Sequence, residues 1–316
     1  MDGTVVGVDG SDGSDAALDW ALREAASRGG PLTAALAWDP GRHAGHDDTG
    51  DDDARAARRV AAVAGWVEAA RGRTGLGPDA VAVDPVELRG TAAPALLALA
   101  EDAGDELVVG RCGRGRVSRM VVGSVTTAVA QHATVPVTVV RGPDPARDGP
   151  VVVGVDGSAT SVLALRHGAE VARRTGATLE ALFCWQIVTL APLPDSWGWA
   201  PPVDDYEAFA AKALDGALAR AGVDLPAEQV QRTVRHVNAA KGVIEASSHA
   251  GRLVLGSRGV GGFDRLLLGS VTRHAVEYAH CPVTVVRPPR PAPPVDAPPT
   301  AAPPTAEPPA DGAATA

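Results

Sequence analysis

The chain has 316 residues with 45% hydrophobic content and only 3% aromatics, enough apolar material for two cores built from Val, Leu and Ala. A formal net charge of −9 argues against a general nucleic-acid binder, which needs a basic face. The three cysteines are odd in number and form no C-x-x-C pair, so neither a disulfide framework nor a thiolate zinc site is indicated, and no run approaches the roughly 18 apolar residues of a membrane span.

From Met1 the sequence runs within three residues into Val5-Val6-Gly7-Val8, a β-branched run ended by Asp9-Gly10-Ser11. That predicts a first strand and leaves no room for a signal peptide, so reduced thiols and a cytoplasmic location are expected. Ala17, Leu18, Ala21, Leu22 and Ala25 recur at spacings of three and four, predicting a helix with Ser11 or Ser14 as its N-cap. A second strand is expected over Leu32–Trp38, then a helix over 54–71, a strand over 80–88 and a helix over 95–103. Strand Glu106–Gly110, helix Ser124–His132 and a last strand over 136–141 complete the series.

The series then starts again. Val5 to Ser11 returns as Val152 to Ser158, a shift of 147, and Pro136 to Arg141 returns as Pro282 to Arg287, a shift of 146. Ser158 or Ser161 takes the N-cap place, and 177–185 is the second strand of the copy. Between 120–141 and 266–287, 11 of 22 positions are identical, which marks a duplicated domain; the period is too long for a solenoid repeat. Strands separated by helices imply parallel pairing. The expected fold is therefore α/β, two tandem doubly wound domains, each a roughly five-stranded parallel sheet flanked by helices in the Rossmann-like order 3-2-1-4-5. The divisions are a first domain at 1–141, a linker at 142–149, a second domain at 150–287 and a Pro/Ala-rich tail at 288–316 without the apolar residues for a core. Two loops after the second strands differ, an acidic one at 43–53 and a Pro- and Trp-rich one at 187–203, and both read first as surface insertions.

One loop recurs with its spacing intact. Gly110-Arg111-Cys112-Gly113 is followed after nine residues by Gly123-Ser124, and Gly256-Ser257-Arg258-Gly259 after nine residues by Gly269-Ser270. Each Gly-x-x-Gly ends an apolar strand and each Gly-Ser opens a helix, an arrangement whose backbone N–H groups suit a phosphate. A Walker loop is excluded because the two lysines, Lys212 and Lys241, lie elsewhere, and neither first strand leads into G-x-G-x-x-G.

These residues resemble the universal stress proteins. Nucleotide-binding members of that family carry G-x-x-G-x9-G-[S/T], a first strand ending V-G-x-D-x-S and a last strand of the form C-P-V-x-V-V-R, and both copies here are similar, over about 3–141 and 150–287. The resemblance implies an ATP-binding regulator of stress or dormancy physiology, with Mg²⁺ accompanying the phosphates and little or no catalysis. By position, Gly110, Gly113, Gly123, Gly256, Gly259 and Gly269 would surround ribose and phosphates, with Ser124 and Ser270 donating to phosphate oxygens and Val125 and Val271 following them. Asp9 and Asp156 would lie near the adenosine end, Gly7 and Gly154 would give the base room, and Ala37 and Cys184 would meet adenine through backbone atoms. The loops differ, with Arg111, Arg114 and Gly115 in the first and Ser257, Arg258, Gly261 and Gly262 in the second. In the family the last strands pair two domains, so Val137–Val140 and Val283–Val286 are expected to pair within this chain, with homodimerisation beyond it.

The rival readings are a cyclic AMP or other adenine-nucleotide binder, a slow ATP hydrolase, and a purely structural pairing module. Asp264 is the sole acid in the second loop, Ser118 holds its place in the first, and no lysine is near, so little hydrolysis is expected. His43 and His46 among the aspartates of the acidic loop read as solvated, so no metal site and no catalytic residue is assigned. His132, His274 and His280 belong to the last helix of each copy and its end. Adenine nucleotide is the one partner class named; nucleic acid and membrane are not expected.

Overall fold

The computed structural model describes residues 3–40, 52–113, 122–142, 148–186, 203–259 and 268–288. The first copy contains β1 (Thr4–Gly7), α1 (Asp12–Arg28), β2 (Leu32–Trp38), α2 (Asp52–Thr74), β3 (Val83–Arg89), α3 (Ala92–Ala103), β4 (Glu106–Gly110), α4 (Ser124–His132) and β5 (Val137–Val140). The second contains β6 (Val151–Val155), α5 (Ala159–Thr175), β7 (Leu179–Trp185), α6 (Val203–Ala221), β8 (Val230–His236), α7 (Ala239–Ala246), β9 (Arg252–Gly256), α8 (Ser270–Tyr278) and β10 (Val283–Val286).

All ten strands form one sheet in the order β3-β2-β1-β4-β5-β10-β9-β6-β7-β8. Each half is parallel and keeps the order 3-2-1-4-5, and the halves meet where β5 and β10 pair antiparallel, Thr138 opposite Thr284. Pairing within the chain is thus seen directly, and it removes the two strand edges that β5 and β10 would otherwise expose. On one face of the sheet each half has its own core: Leu18, Leu22 and Val63 pack on Val6 and Val108 in the first, Leu165 and Leu214 on Val153 and Val254 in the second. On the other face a single core runs across the junction, from Leu96, Leu107 and Val129 to Val243, Leu253 and Ala275. The two halves therefore share buried surface instead of merely touching.

The serine ambiguity resolves the same way twice. Ser11 and Ser158 are the N-caps, accepting from the backbone N–H of Ser14 and Ser161 at 3.3 and 3.1 Å. Both helices end on a left-handed glycine, Gly29 (φ 68°) and Gly176 (φ 71°), the conformation for which glycine has no steric cost. Other boundaries move. Helix α3 begins at Ala92, earlier than expected, because Pro94 sits in the first turn, where its missing N–H would have had no helical partner anyway. Strand β3 starts at Val83, after a short 3₁₀ turn at Pro78–Ala80, and tolerates Pro85 as an edge strand. Helix α2 runs longer at both ends, opening on Asp52 and Asp53, which favour a helix N-terminus. Most of the two divergent loops, and the tail beyond 288, lie outside the described residues.

Candidate functional site

At the carboxyl end of β4 the chain leaves the sheet through Arg111, whose N–H bonds Val140 O at 2.9 Å, and it returns at Gly123, whose N–H bonds Arg111 O at 2.8 Å. The second copy repeats both bonds at 2.8 Å, Ser257 N–H to Val286 O and Gly269 N–H to Ser257 O. A threonine that the sequence reading passed over closes each loop: Thr126 Oγ1 donates to Gly110 O and Thr272 Oγ1 to Gly256 O, both at 2.7 Å. Its signal was present, since Gly-Ser-Val-Thr occurs in both copies. Helices α4 and α8 are thereby pinned on the strand that precedes them. Gly123 (φ −67°, ψ 152°) and Gly269 (φ −65°, ψ 154°) cap them without any side-chain bond, so the first backbone N–H groups have no partner within the helix. Ser124 and Ser270 stand exposed there, while Val125 and Val271 turn into the shared core.

The acid at the end of each first strand faces this loop. Asp9 Oδ1 accepts from Ser11 N at 3.0 Å and Ser11 Oγ at 2.6 Å, and Asp156 Oδ1 accepts from Ser158 N at 3.0 Å. The other carboxylate oxygen lies so close to Gly113, or to Gly259 in the second copy, that a Cβ at either glycine would collide with it. Gly113 and Gly259 are thus required by the neighbouring aspartate, a direct physical reason for the second glycine of G-x-x-G.

Four further glycines make close packing contacts. A Cβ at Gly7 would stand 2.8 Å from Leu96 Cδ1, and one at Gly154 would strike Leu255, so on the shared-core side neither position has room for a side chain. Gly110 lies against the α1 backbone, where a Cβ would be 3.1 Å from Ser14 N and closer still to Gly13, and Gly256 lies against Thr160, with Oγ1 at 2.8 Å. These two let the first helix of each half approach the loop. The copies solve the contact differently, with Thr160 Oγ1 bonding Arg258 O in the second and Gly13 leaving room for Cys112 O in the first.

Arginines collect beside both loops. Arg111 is 8% exposed and its Nη1 has no partner among the described residues, and its charge, after burial, holds Arg141 below the usual arginine range. Burial and then the charge of Arg258 do the same to Arg287. The counterpart of Arg111 is Ser257, fully buried with an unpartnered Oγ.

Ala37 and Cys184 stand beyond the end of the first strands, registered with Leu88 and Arg235 of the edge strands. Cys184 packs against Gly242 of α7, and burial pushes its thiol up to about 11. The tryptophans that follow are engaged: Arg59 lies over Trp38 at 4.5 Å, and Trp185 stacks between His236 at 4.2 Å and Tyr206 at 5.9 Å. Arg114, Gly115, Gly261, Gly262 and Asp264 lie outside the described residues. A separate groove of about 520 Å³, lined by Asp148, Thr178, Glu180, Gln231, Arg235 and His249, begins at the opposite, amino-terminal end of β7 and does not reach the loops. Among the described residues no helix is long and apolar enough to cross a membrane.

A duplicated doubly wound fold, with a glycine loop leading into an uncapped helix at the carboxyl edge of each half, defines a tandem α/β protein. Residues 2–141 and 149–287 both match the Universal stress protein family, and the chain belongs to it. It is 33% identical over 299 residues to a universal stress protein of Mycolicibacterium smegmatis, covering 90% of this chain and 97% of that one. A universal stress protein of Mycobacterium tuberculosis is 32% identical over 297 residues, with the same coverage. The crystal structure of a universal stress protein from Archaeoglobus fulgidus superposes with a TM-score of 0.62 at 17% identity, covering 90% of this chain and 98% of that one, a likeness of fold.

Proposed function

We propose that the chain binds ATP, with Mg²⁺ accompanying the phosphates, at one or both glycine loops, and acts as a nucleotide-responsive regulator with little or no catalysis. The observation that carries this reading is the open start of α4 and α8, where Gly123 and Gly269 provide no side-chain cap and Ser124 and Ser270 are exposed. Partial positive charge from the unpaired N–H groups and the helix dipole favours phosphate at that place. In this reading Gly113, Gly123, Gly259 and Gly269 admit the phosphates, Ser124 and Ser270 donate to them, and Arg111 and Arg258 add positive charge. Asp9 and Asp156, at the inner wall, face the nucleoside side, and Ala37 and Cys184 offer backbone atoms to the base. Both lysines of the chain lie outside the loops, so the phosphate lysine of a hydrolase is missing from them.

Denaturing extraction of the purified protein followed by nucleotide analysis tests the proposal. Gly269→Glu is the paired control, because φ −65° suits any residue and a Cβ there would be 3.4 Å from its nearest neighbour, Arg258 Cα. Expected are ATP in the wild type and less in the variant, which places a carboxylate where phosphate would bind. If none is extracted and millimolar ATP is not taken up, the loops are turns only. Hydrogen exchange over 113–123 and 259–269 should slow with saturating ATP; unchanged exchange removes the switching role.

A further inference from the structure

Under the β5–β10 junction, on the face carrying α1 and α5, lies a buried charge cluster shared by the two halves. Glu24 of α1 accepts from Arg28 Nε at 2.9 Å and from Arg174 Nη2 of α5 at 2.5 Å, and its second oxygen bonds Arg252 Nη2. Glu106 accepts from Arg28 Nη2 at 2.5 Å and from Thr138 Oγ1, with Arg252 Nη1 at 4.0 Å. Glu24, Glu106 and Arg252 are 5%, 0% and 6% exposed, and the Arg252 guanidinium lies 4.5 Å over the Trp20 ring.

The halves are related here by an approximate twofold axis, because residues at matching repeat positions meet each other. Thr138 and Thr284, 146 apart, touch through their hydroxyls at 2.7 Å. Ser27 and Arg174, 147 apart, bond at 3.2 Å. Glu106 and Arg252 open β4 and β9, again 146 apart, and face each other. At the axis, then, the two copies have diverged into opposite charges. The first half brings Glu24, Glu106 and Arg28; the second brings Arg174 and Arg252, with Val171 at the place of Glu24.

We infer that this cluster selects the pairing partner: the junction face of the first half fits the arginine-bearing face of the second half and rejects a second copy of itself. The symmetry dictates the alternatives. Two second halves joined at the same seam would set Arg252 against Arg252 and Arg174 against Arg174, with no acid among these positions. Two first halves would set Glu106 against Glu106, four acids facing two Arg28 side chains. Like charges facing each other in a desolvated junction are the strongest available bias against a wrong partner, because neither water nor salt screens them. The apolar core on the opposite face carries no charge, and its equivalents differ only in size, as Leu96 and Val243 or Val129 and Ala275 do, so it discriminates by shape alone. The inference does not depend on nucleotide binding.

Full-length charge reversals test it. Glu106→Arg and Arg252→Glu each place like charges at the junction and should lower Tm by about 10 °C. Mixed and refolded together, the two variants become complementary in trans, the first half of the Glu106→Arg chain facing the second half of the Arg252→Glu chain. A 1:1 two-chain species by light scattering, more heat-stable than either variant alone, is the expected result. The Glu106→Arg/Arg252→Glu chain, complementary within itself, should regain most of the lost Tm as a single chain, and it decides the matter if the single variants fold too poorly to mix. Rescue in either arrangement supports selection by charge. Single variants as stable as wild type, or a doubly reversed chain no better than the worse single variant in a mixture that yields no two-chain species, would overturn it.

Discussion

Replacing Glu24 by Gln keeps the shape of the side chain and removes one buried charge, so its effect should titrate with that charge. Burial alone would raise the Glu24 carboxyl, but Arg252, Arg174 and Arg28 outweigh it and lower the value from 4.5 to about 2. At about 1.36 kcal/mol per pH unit this difference corresponds to about 3 kcal/mol of stability. The group is 5% exposed, so little of that is lost to solvent screening. The folded value lies below the unfolded one, so the contribution is complete above the unfolded value of 4.5 and is lost as pH falls through about 2. By the same linkage about 1 kcal/mol should remain at pH 3. Glu106 works the other way: burial, then the charge of Glu24, raises its carboxyl, so its contribution is present at low pH and lost as pH rises through the folded value. Glu24→Gln also takes away part of the cause of that rise, so Glu106 ionises more easily in the variant and about 3 kcal/mol is the upper bound of the gap at pH 7. Urea denaturation of wild type and Glu24→Gln should therefore show a gap of up to about 3 kcal/mol at pH 7 that closes to about 1 kcal/mol at pH 3. A gap that is small at pH 7, or that stays constant down to pH 3, would show that the Glu24 bonds are not those of an ionised carboxylate.

Two further outcomes follow from the repeat. Asn238 caps α7 by accepting from Ala240 N and Lys241 N at 3.0 and 3.3 Å, whereas Thr91, at the matching end of α3, makes no side-chain cap bond. Asn238→Ala should cost about 1 kcal/mol in chemical denaturation and Thr91→Ala close to nothing; equal losses would contradict the capping assignment. Gly259→Ala drives a Cβ into the Asp156 carboxylate, so it should lower stability by about 1–3 kcal/mol and reduce ATP retention. Adding Asp156→Ala removes the obstruction and should recover the stability, and failure to recover it would place the strain elsewhere.

What could be taken from the sequence depended on whether the cause was local. Strands Leu32–Trp38 and Glu106–Gly110 and helix Ser124–His132 have the bounds their patterns indicate, because alternation, caps and glycines act within a few residues. The start of β3 and the length of α2 were missed, since the short turn at Pro78–Ala80 and the acidic opening at Asp52 and Asp53 leave no mark in the apolar pattern. The glycine spacing located the loop but not the task of each glycine. For Gly7 and Gly154, only the placement of Leu96 and Leu255 reveals a packing reason for glycine. The charge cluster joins Glu24 to Arg252 across 228 positions, beyond any local pattern. Its trace was nevertheless there, as a Glu and an Arg at the same repeat position.

The antiparallel seam also fixes how the two loops relate. Each half is parallel within itself, so reversing direction at β5 and β10 sends the carboxyl edges of the halves, and with them the two loops, to opposite ends of the sheet. No single ligand spans both. Yet each last strand ends beside its own loop and sends its arginine across the seam: Arg141 Nη1 donates to Ala279 O just past α8, and Arg287 Nη2 to Ala130 O of α4, at 2.8 and 2.9 Å. Helices α8 and α4 are the ones that begin at the opposite loops. A continuous set of contacts therefore runs from one loop, through its final strand, to the helix that opens the other. Contact by itself transmits nothing; coupling requires that a ligand hold this arrangement in one of two states with different affinity. The common core and the buried charges resist relative movement of the halves, so coupling between the loops, where it exists, has to run through the arginine links at the strand ends.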